Sequence, residues 1–187
     1  MKKINYVFGL LLIAMIFASC ASKDVGQSES VEIPATVEEK VAVFAPLTDI
    51  AQLEGLWKGG YGESVPGETV GLPFDINIST DVTIEYPMFF KGVPIISVTE
   101  IIDYTSYLED LSEALGVDTA ATWALMVNQA GEGVGYTTEA PYCLTLSTFI
   151  PKEEEASFLS MLSISEDGKQ IKVMLTPDFD YVLDKQN

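Results

Sequence analysis

Carboxylates are the most plentiful reactive side chains in this sequence, which has 28 Asp and Glu against 10 basic residues. They are densest at Glu109-Asp110, at residues 153–155 and at Asp178-x-Asp180. A glycosidase needs two carboxylates about 5 to 10 Å apart in one cleft, and nothing in the spacing selects such a pair. The Asp178-x-Asp180 pair could bind a cation weakly, but solvated turn residues are the simpler interpretation. No calcium loop of the Asp-x-Asp-x-Asp-Gly type is present.

Missing residue types narrow the chemistry further. The ten basic residues are all Lys, His is absent, and the net charge is −18. A chain this acidic, with no Arg, is not expected to bind nucleic acid. Without His, Cys143 lacks the usual base of a catalytic thiol, and the ordinary ligand of a zinc site is missing. The Gly131-to-Gly135 run also lacks the strand-to-helix setting of a nucleotide site. We therefore expect no enzymatic activity, no metal and no cofactor.

The first twenty residues form a targeting segment. Lys2 and Lys3 precede an apolar run at residues 4–18, which is shorter than the ~20 residues of a membrane span and therefore predicts a secretory signal. The run ends in Phe17-Ala18-Ser19-Cys20, which resembles the lipobox of bacterial lipoproteins, with Phe17 in place of the usual Leu. The resemblance implies cleavage after Ser19, acylation of Cys20 and anchoring at the bacterial cell envelope. Ala21, rather than Asp, after the cysteine favours the outer membrane.

The segment that follows Cys20 leads into a domain whose start carries a second resemblance. Residues 20–46 are rich in Ser, Glu and Pro and predict a flexible tether, with a short strand or packing segment near Phe44. A single helical turn is expected just before Leu53. Gly55-x-Trp57 then enters the first strand, which resembles the lipocalins and their calycin relatives. In that family the Trp closes one end of an antiparallel barrel and usually packs against an Arg. This chain could offer only a lysine, Lys172 or Lys185.

Alternating apolar and polar residues predict seven or eight strands and hence an antiparallel up-and-down β-barrel. A strand at residues 74–79 and another at 82–86 are separated by a break at Thr80-Asp81 that suits a hairpin. Residues 93–102 predict a buried strand, and 142–150 and 158–164 predict two more. Asp167-Gly168 predicts a hairpin before the strand at 171–175, and Tyr181 to Leu183 predict the last strand.

The middle of the chain departs from this pattern. Apolar residues from Tyr104 to Leu115 recur at helical spacing, and Gly116 ends the run. Asp118 can cap a second helix that continues to about Gln129. The sequence thus predicts a helical insertion at about 104–130, either as a lid over a barrel mouth or as part of the core.

The sequence therefore predicts a signal peptide at 1–19, a lipidated tether at 20–46 and a lipocalin-like barrel at 47–187. The acyl chains on Cys20 would bind the membrane. The barrel would bind a small hydrophobic ligand; alternatively it would be filled by its own side chains and would bind another envelope protein. The residues expected to line or close a ligand pocket are aromatic or branched: Trp57, Phe74, Ile76, Tyr86, Tyr107 and Trp123.

Overall fold

A mainly β architecture is confirmed by the computed structural model, which describes residues 42–130 and 133–187. The predicted signal peptide, Cys20 and the tether up to residue 41 lie outside the described residues. A 3-10 helix spans Ile50–Leu53. The strands are β1 Phe44–Pro46, β2 Gly55–Val65, β3 Ile76–Phe90, β4 Val93–Asp103, β5 Gly135–Tyr136, β6 Cys143–Ile150, β7 Leu162–Ser165, β8 Gln170–Thr176 and β9 Phe179–Lys185. The α-helices are α1 Gly67–Val70, α2 Thr105–Leu115, α3 Thr119–Val127 and α4 Glu155–Leu159.

All nine strands join one antiparallel sheet in the order β1-β7-β8-β9-β2-β3-β4-β6-β5. The last strand returns beside the first long one, since β9 pairs with β2. The sheet is not closed, however, because β6 and β7 do not pair with each other in the described part of the chain. The helix α4 lies between these two strands in the sequence. The antiparallel meander is thus confirmed, whereas the sheet ends at two edges, β1 and β5.

The register defines two ends of the sheet. At the Trp57 end, Gly55 of β2 lies opposite Tyr86 of β3, and Trp57 lies opposite Lys185 of β9. The opposite end, here called the helical end, begins beyond Tyr61 of β2 and the strand positions level with it, and it leads into α2 and α3.

The predicted break at Thr80-Asp81 is wrong, because β3 runs through both residues and pairs there with β2 and β4. Thr80 is buried and takes an inward position between Ile78 and Val82. A small hydroxyl residue can occupy an inward position without breaking the period of two. The two predicted strands are therefore one strand of 15 residues.

A second correction concerns the strand predicted at 158–164. Phe158 lies in α4, where its amide donates to the carbonyl of Glu154 at 2.9 Å, and β7 begins only at Leu162. Leu159 is buried and Phe158 packs against the core. A short apolar run fits either a buried helical turn or a strand, and here packing against the core selects the helix.

The helical insertion is confirmed as α2 and α3. Asp118 caps α3, since its carboxylate accepts from the amide of Ala121 at 2.7 Å. Gly116 ends α2 with φ 66°, in the left-handed region. The hairpin at Asp167-Gly168 is also confirmed, with φ 68° at Gly168.

Large apolar side chains fill the interior of the sheet at the Trp57 end. The most deeply buried members of this core are Leu53, Trp57, Val82, Ile84, Ile96, Leu162, Ile171 and Leu183. They come from both halves of the meander, so their packing holds β2 to β4 against β7 to β9. Burial of this apolar surface is the main stabilising contribution to the domain.

Candidate functional site

Trp57 anchors the end of the sheet where the first long strand begins. Its side chain is fully buried, and the indole N–H donates to the carbonyl oxygen of Leu53 at 2.8 Å. The 3-10 helix supplies that carbonyl, so it positions the ring. Lys185 Nζ lies 5.0 Å from the ring centroid, within the range of a cation–π contact. Of the two lysines considered from the sequence, Lys185 is therefore the one that packs on Trp57.

The other lysine has a different role. Lys172 Nζ lies 3.2 Å from a carboxylate oxygen of Asp180 and 5.3 Å from the ring centroid of Phe44. Both partners of the ion pair are partly exposed, so the pair contributes little to stability. Its contact with Phe44 helps hold the edge strand β1.

The six predicted pocket residues do not gather at one place. Trp57 and Tyr86 lie at the Trp57 end, with Tyr86 half-buried in β3. Phe74 and Tyr107 come together at the helical end, with ring centroids 6.4 Å apart, and half-buried Ile76 begins β3 at that end. Their role in binding stays a prediction.

Trp123, the sixth of these residues, packs in an aromatic group under the helices. It is buried on α3, its indole N–H donates to the carbonyl of Thr137 at 2.7 Å, and its ring lies 6.0 Å from Tyr104 and 5.6 Å from Tyr142. These contacts tie α3 to the segment that precedes β6. Within the described residues, this part of the insertion is packed into the domain.

Sequence reasoning missed Glu100, a carboxylate that faces the interior. Glu100 lies on β4 between Val98 and Ile102, in the same inward phase, and only 8% of its surface is exposed. It is not an unsatisfied group, because no fully buried side-chain oxygen in the described residues lacks a hydrogen-bond partner. Burial raises the pKa of Glu100 above its ordinary value. The sequence pattern could have identified Glu100, because it is a charged residue at a position where the alternation of the strand places a buried side chain.

Two tyrosines lie near Glu100 on the same inner face. Tyr61 of β2 and Tyr181 of β9 have ring centroids 4.9 Å apart, and Phe179 packs edge-on against Tyr61 at 5.1 Å. Burial first, and then the charge of Glu100, raise the pKa of both tyrosines above the ordinary value. The phenols therefore stay protonated and can act as hydrogen-bond donors. Glu100, Tyr61 and Tyr181 are called the inner polar group below.

The pairing of β2 with β9 brings the inner polar group together. Gly59 faces β9 at close range, because an added Cβ there would collide with the carbonyl oxygen of Val182 and lie 2.9 Å from Leu183 Cδ2. A glycine at this position lets β9 pair beside β2. Tyr61 and Tyr181, one from each strand, then lie side by side in the interior.

A separate cleft of about 320 Å³ opens at the helical end. It is wide and open, and Glu63 and Asp103 are among its lining residues. The Asp103 carboxylate accepts from the amide of Thr105 at 2.8 Å and therefore caps the start of α2. None of the six predicted pocket residues lines this cleft, so it is not the apolar pocket expected from the sequence.

Other features of the described residues are structural. Cys143 is a free, buried thiol. Burial first, and then the charges of Asp103 and Asp81, raise its pKa, which disfavours the reactive thiolate.

Within residues 42–130 and 133–187, no group of three or more potential ligands is arranged to hold a metal ion. No helix in that part of the chain has the length and apolar character to cross a membrane. Comparisons with protein-family models, curated proteins and solved structures found no match to this chain.

Proposed function

We propose that this chain is a bacterial envelope lipoprotein, anchored through acyl chains on Cys20, whose domain binds one small and mainly hydrophobic ligand beside the inner polar group. The single observation that carries the binding proposal is Glu100. Glu100 is a carboxylate with only 8% exposure on the inner face of the sheet, and burial disfavours its charged form. A ligand with a hydrogen-bond donor would pair with this inward-facing carboxylate and favour its charged form.

The surroundings of Glu100 define the class of ligand. Apolar side chains flank the carboxylate along β4, and the rings of Tyr61 and Tyr181 offer apolar faces with hydroxyl groups at their tips. An apolar body that carries one amine or hydroxyl group matches this combination. A fully ionic ligand does not match it, because most of the surrounding surface could not replace its hydration.

The lipocalin-like fold belongs to the same proposal. Its support is the 3-10 helix before β2, the Gly55-x-Trp57 motif at the start of β2, the return of β9 beside β2, and Lys185 on the Trp57 ring in the place where lipocalins commonly use an Arg. The open sheet departs from the closed lipocalin barrel. The half-buried side chains of Leu144 and Leu146 face inward along β6, next to this opening. We propose that the ligand enters through this opening in the sheet.

A second candidate function is a non-enzymatic interaction lipoprotein with a filled interior. The observation that favours it is the packing at the Trp57 end, where Leu53, Trp57, Ile171 and Leu183 leave no exposed surface. In that case Glu100 would be a structural residue and the partner would be another envelope protein.

Native mass spectrometry of the gently purified chain, followed by organic extraction, tests the proposal. We expect a discrete adduct that is lost on extraction and is absent from Glu100→Gln. The matched control is Glu85→Gln, which changes an exposed carboxylate on β3 and should keep the adduct. A bare mass that does not change after incubation with fatty acids, lipids and apolar amines would favour the filled interior. The mass of the N-terminal peptide tests acylation of Cys20 separately.

A further inference from the structure

The hairpin that joins β3 to β4 ends in an exposed aromatic tip. Phe89 is 67% exposed, Phe90 54% and Val93 54%. Phe149 of β6, which is 47% exposed, stacks on Phe90 with ring centroids 6.2 Å apart. Together the three rings expose on the order of 300 Å² of apolar surface. Exposed apolar surface of this extent is comparable to the largest patch on an ordinary monomer, which is often functional.

The tip extends beyond the rest of the sheet. Gly55, the first residue of β2, lies opposite Tyr86, so residues 87–90 of β3 have no partner on that side. These four residues carry the hairpin about 13 Å past β2. Phe89 lies opposite Pro94 and Phe90 opposite Val93, so apolar residues occupy both faces of the tip. A projecting hairpin that is apolar on both faces is suited to shallow insertion rather than to packing on one side.

Lysines are concentrated at the same end of the domain. All six lysines in residues 42–130 and 133–187 lie on the Trp57 side of Tyr61, although carboxylates outnumber them there: Glu54, Glu85, Glu153, Glu154, Glu166, Asp167 and Asp184. Lys91 forms the turn of the hairpin, with its Nζ 5.4 Å from the ring centroid of Phe90. The helical end carries Glu109, Asp110 and Glu113 on α2, and no lysine among the described residues. The hairpin itself is less acidic than its surroundings, because Lys91 is the only charged residue between Glu85 and Glu100, so an anionic surface repels the tip less than it repels the helical end.

The chain enters the domain at this end as well. Phe44 lies opposite Ser165, next to the β7–β8 turn, which is level with the end of β9. Residues 20–41 join Cys20 to this point and can span at most about 75 Å. An acylated Cys20 therefore keeps the domain within the reach of this segment, and a tethered surface needs only weak affinity to dock.

A competing apolar surface lies at the helical end, where Leu115 and Leu125 are exposed. Glu113 and Asp118 are near neighbours of these residues in the sequence, and no described lysine lies at this end. The two surfaces expose similar apolar side chains, but their neighbouring charges differ, and this difference favours the hairpin tip as the membrane contact.

We infer that the Phe89-Phe90 hairpin, with Phe149, docks on the lipid bilayer that holds the acyl chains of Cys20 and orients the domain with its Trp57 end toward the membrane. The inference rests on the proposed anchoring of Cys20 and adds to it a second, non-covalent contact. The aromatic rings enter the interfacial layer, where aromatic residues are favoured, while Lys91 extends to the lipid headgroups. The acidic helical end then faces away from the surface.

Tryptophan fluorescence in vesicles tests this orientation. The full chain is produced with its lipid modification and reconstituted into vesicles of phosphatidylethanolamine with a minor share of phosphatidylglycerol, with or without bromine on the acyl chains. One variant carries Val93→Trp at the tip, and a matched variant carries Leu115→Trp at the helical end, with the parent protein as the background for Trp57 and Trp123. We expect bromine to quench emission from the first probe and not from the second.

A second set of variants tests whether the aromatic rings of the hairpin are needed for docking. Phe89→Ser with Phe90→Ser, added to the Val93→Trp probe, should weaken docking by roughly tenfold or more for each ring and restore the emission. Leu115→Ser with Leu125→Ser removes comparable apolar surface at the other end and should leave the quenching unchanged. All four substituted side chains are exposed, so the variants should fold, and circular dichroism checks this.

Three outcomes would overturn the inference: no quenching of the tip probe, equal quenching of both probes, or quenching that survives removal of the rings. Failure of the proposed anchoring has a different readout, since the mass of the N-terminal peptide would then lack acyl chains. In that case the same brominated vesicles, added to the unmodified chain, still decide whether the hairpin docks.

Discussion

Replacement of Glu100 by Gln tests whether the inner carboxylate weakens the domain. Because burial raises the pKa of Glu100, the folded state holds this proton more tightly than the unfolded state does. The stability that this proton contributes is complete below the unfolded pKa, near 4.3, and is lost as the pH rises through the folded pKa. Wild-type stability should therefore fall as the pH rises through this window. Glu100→Gln, which cannot ionise, removes this contribution.

The size of the effect follows from proton linkage. One proton that is bound in the folded state and released in the unfolded state gives a slope of about 1.4 kcal/mol per pH unit between the two pKa values. We expect Glu100→Gln to be more stable than wild type at about pH 8, with a difference that shrinks toward about pH 5. A domain of this kind is stable by about 5–15 kcal/mol, so even one pH unit of this slope is measurable.

Urea unfolding of both proteins across this pH range, with m-values compared, is the assay. Glu85→Gln serves as the control, because it removes the same charge from an exposed position. A spectrophotometric titration adds a second readout: Glu100→Gln should lower the pKa of Tyr61 and Tyr181 toward the ordinary value, since the charge of Glu100 contributes to raising both. If the wild-type and Glu100→Gln curves run parallel across the whole range, the idea that Glu100 titrates from a buried position is wrong.

Three further substitutions test the packing that holds the site. Gly59→Ala should destabilise by about 1–3 kcal/mol, because its Cβ would push β9 away from β2; Gly62→Ala, whose Cβ has only one contact at 3.9 Å, should cost much less in the same urea melt. Trp57→Phe removes the buried indole hydrogen bond and should cost about 2–4 kcal/mol by chemical denaturation; a loss below 0.5 kcal/mol would contradict its anchoring role. Asp118→Ala removes the cap of α3 and should lower stability by about 1 kcal/mol, whereas Asp118→Asn should retain most of it.

Elements with a strong local signal could be predicted from the sequence. The helix α3 has a capping Asp, the β7–β8 turn has Asp-Gly, and β4 has a clear period of two; all three lie where the pattern placed them. Prediction failed where one residue allowed two interpretations. Thr80 fits a turn or an inward strand position, and Phe158 fits a strand or a helical turn. In both cases contacts with other parts of the fold determine the secondary structure, and the periodicity of the sequence carries no information about those contacts.

The candidate site was harder to predict for the same reason. Large aromatic residues were chosen because they could line a pocket, yet the fold separates Trp57 from Trp123 and uses both as packing anchors. Glu100 was overlooked among 28 carboxylates, although its phase on β4 distinguishes it from those on exposed positions. Its two tyrosine neighbours come from β2 and β9, and only the pairing of these strands brings them together.

Membrane docking and ligand binding are proposed at different parts of the sheet, and the strand pairing explains why both parts exist. Pairing of β9 with β2 places Lys185 on Trp57, and large buried side chains fill the interior at the end where the hairpin projects. The lack of pairing between β6 and β7 leaves the interior less enclosed beside Leu146, which lies opposite Glu100 on β4. A membrane contact at the filled end leaves the opening along β6 free for ligand. Docking and binding can therefore operate together, because the residues that serve one are not needed by the other.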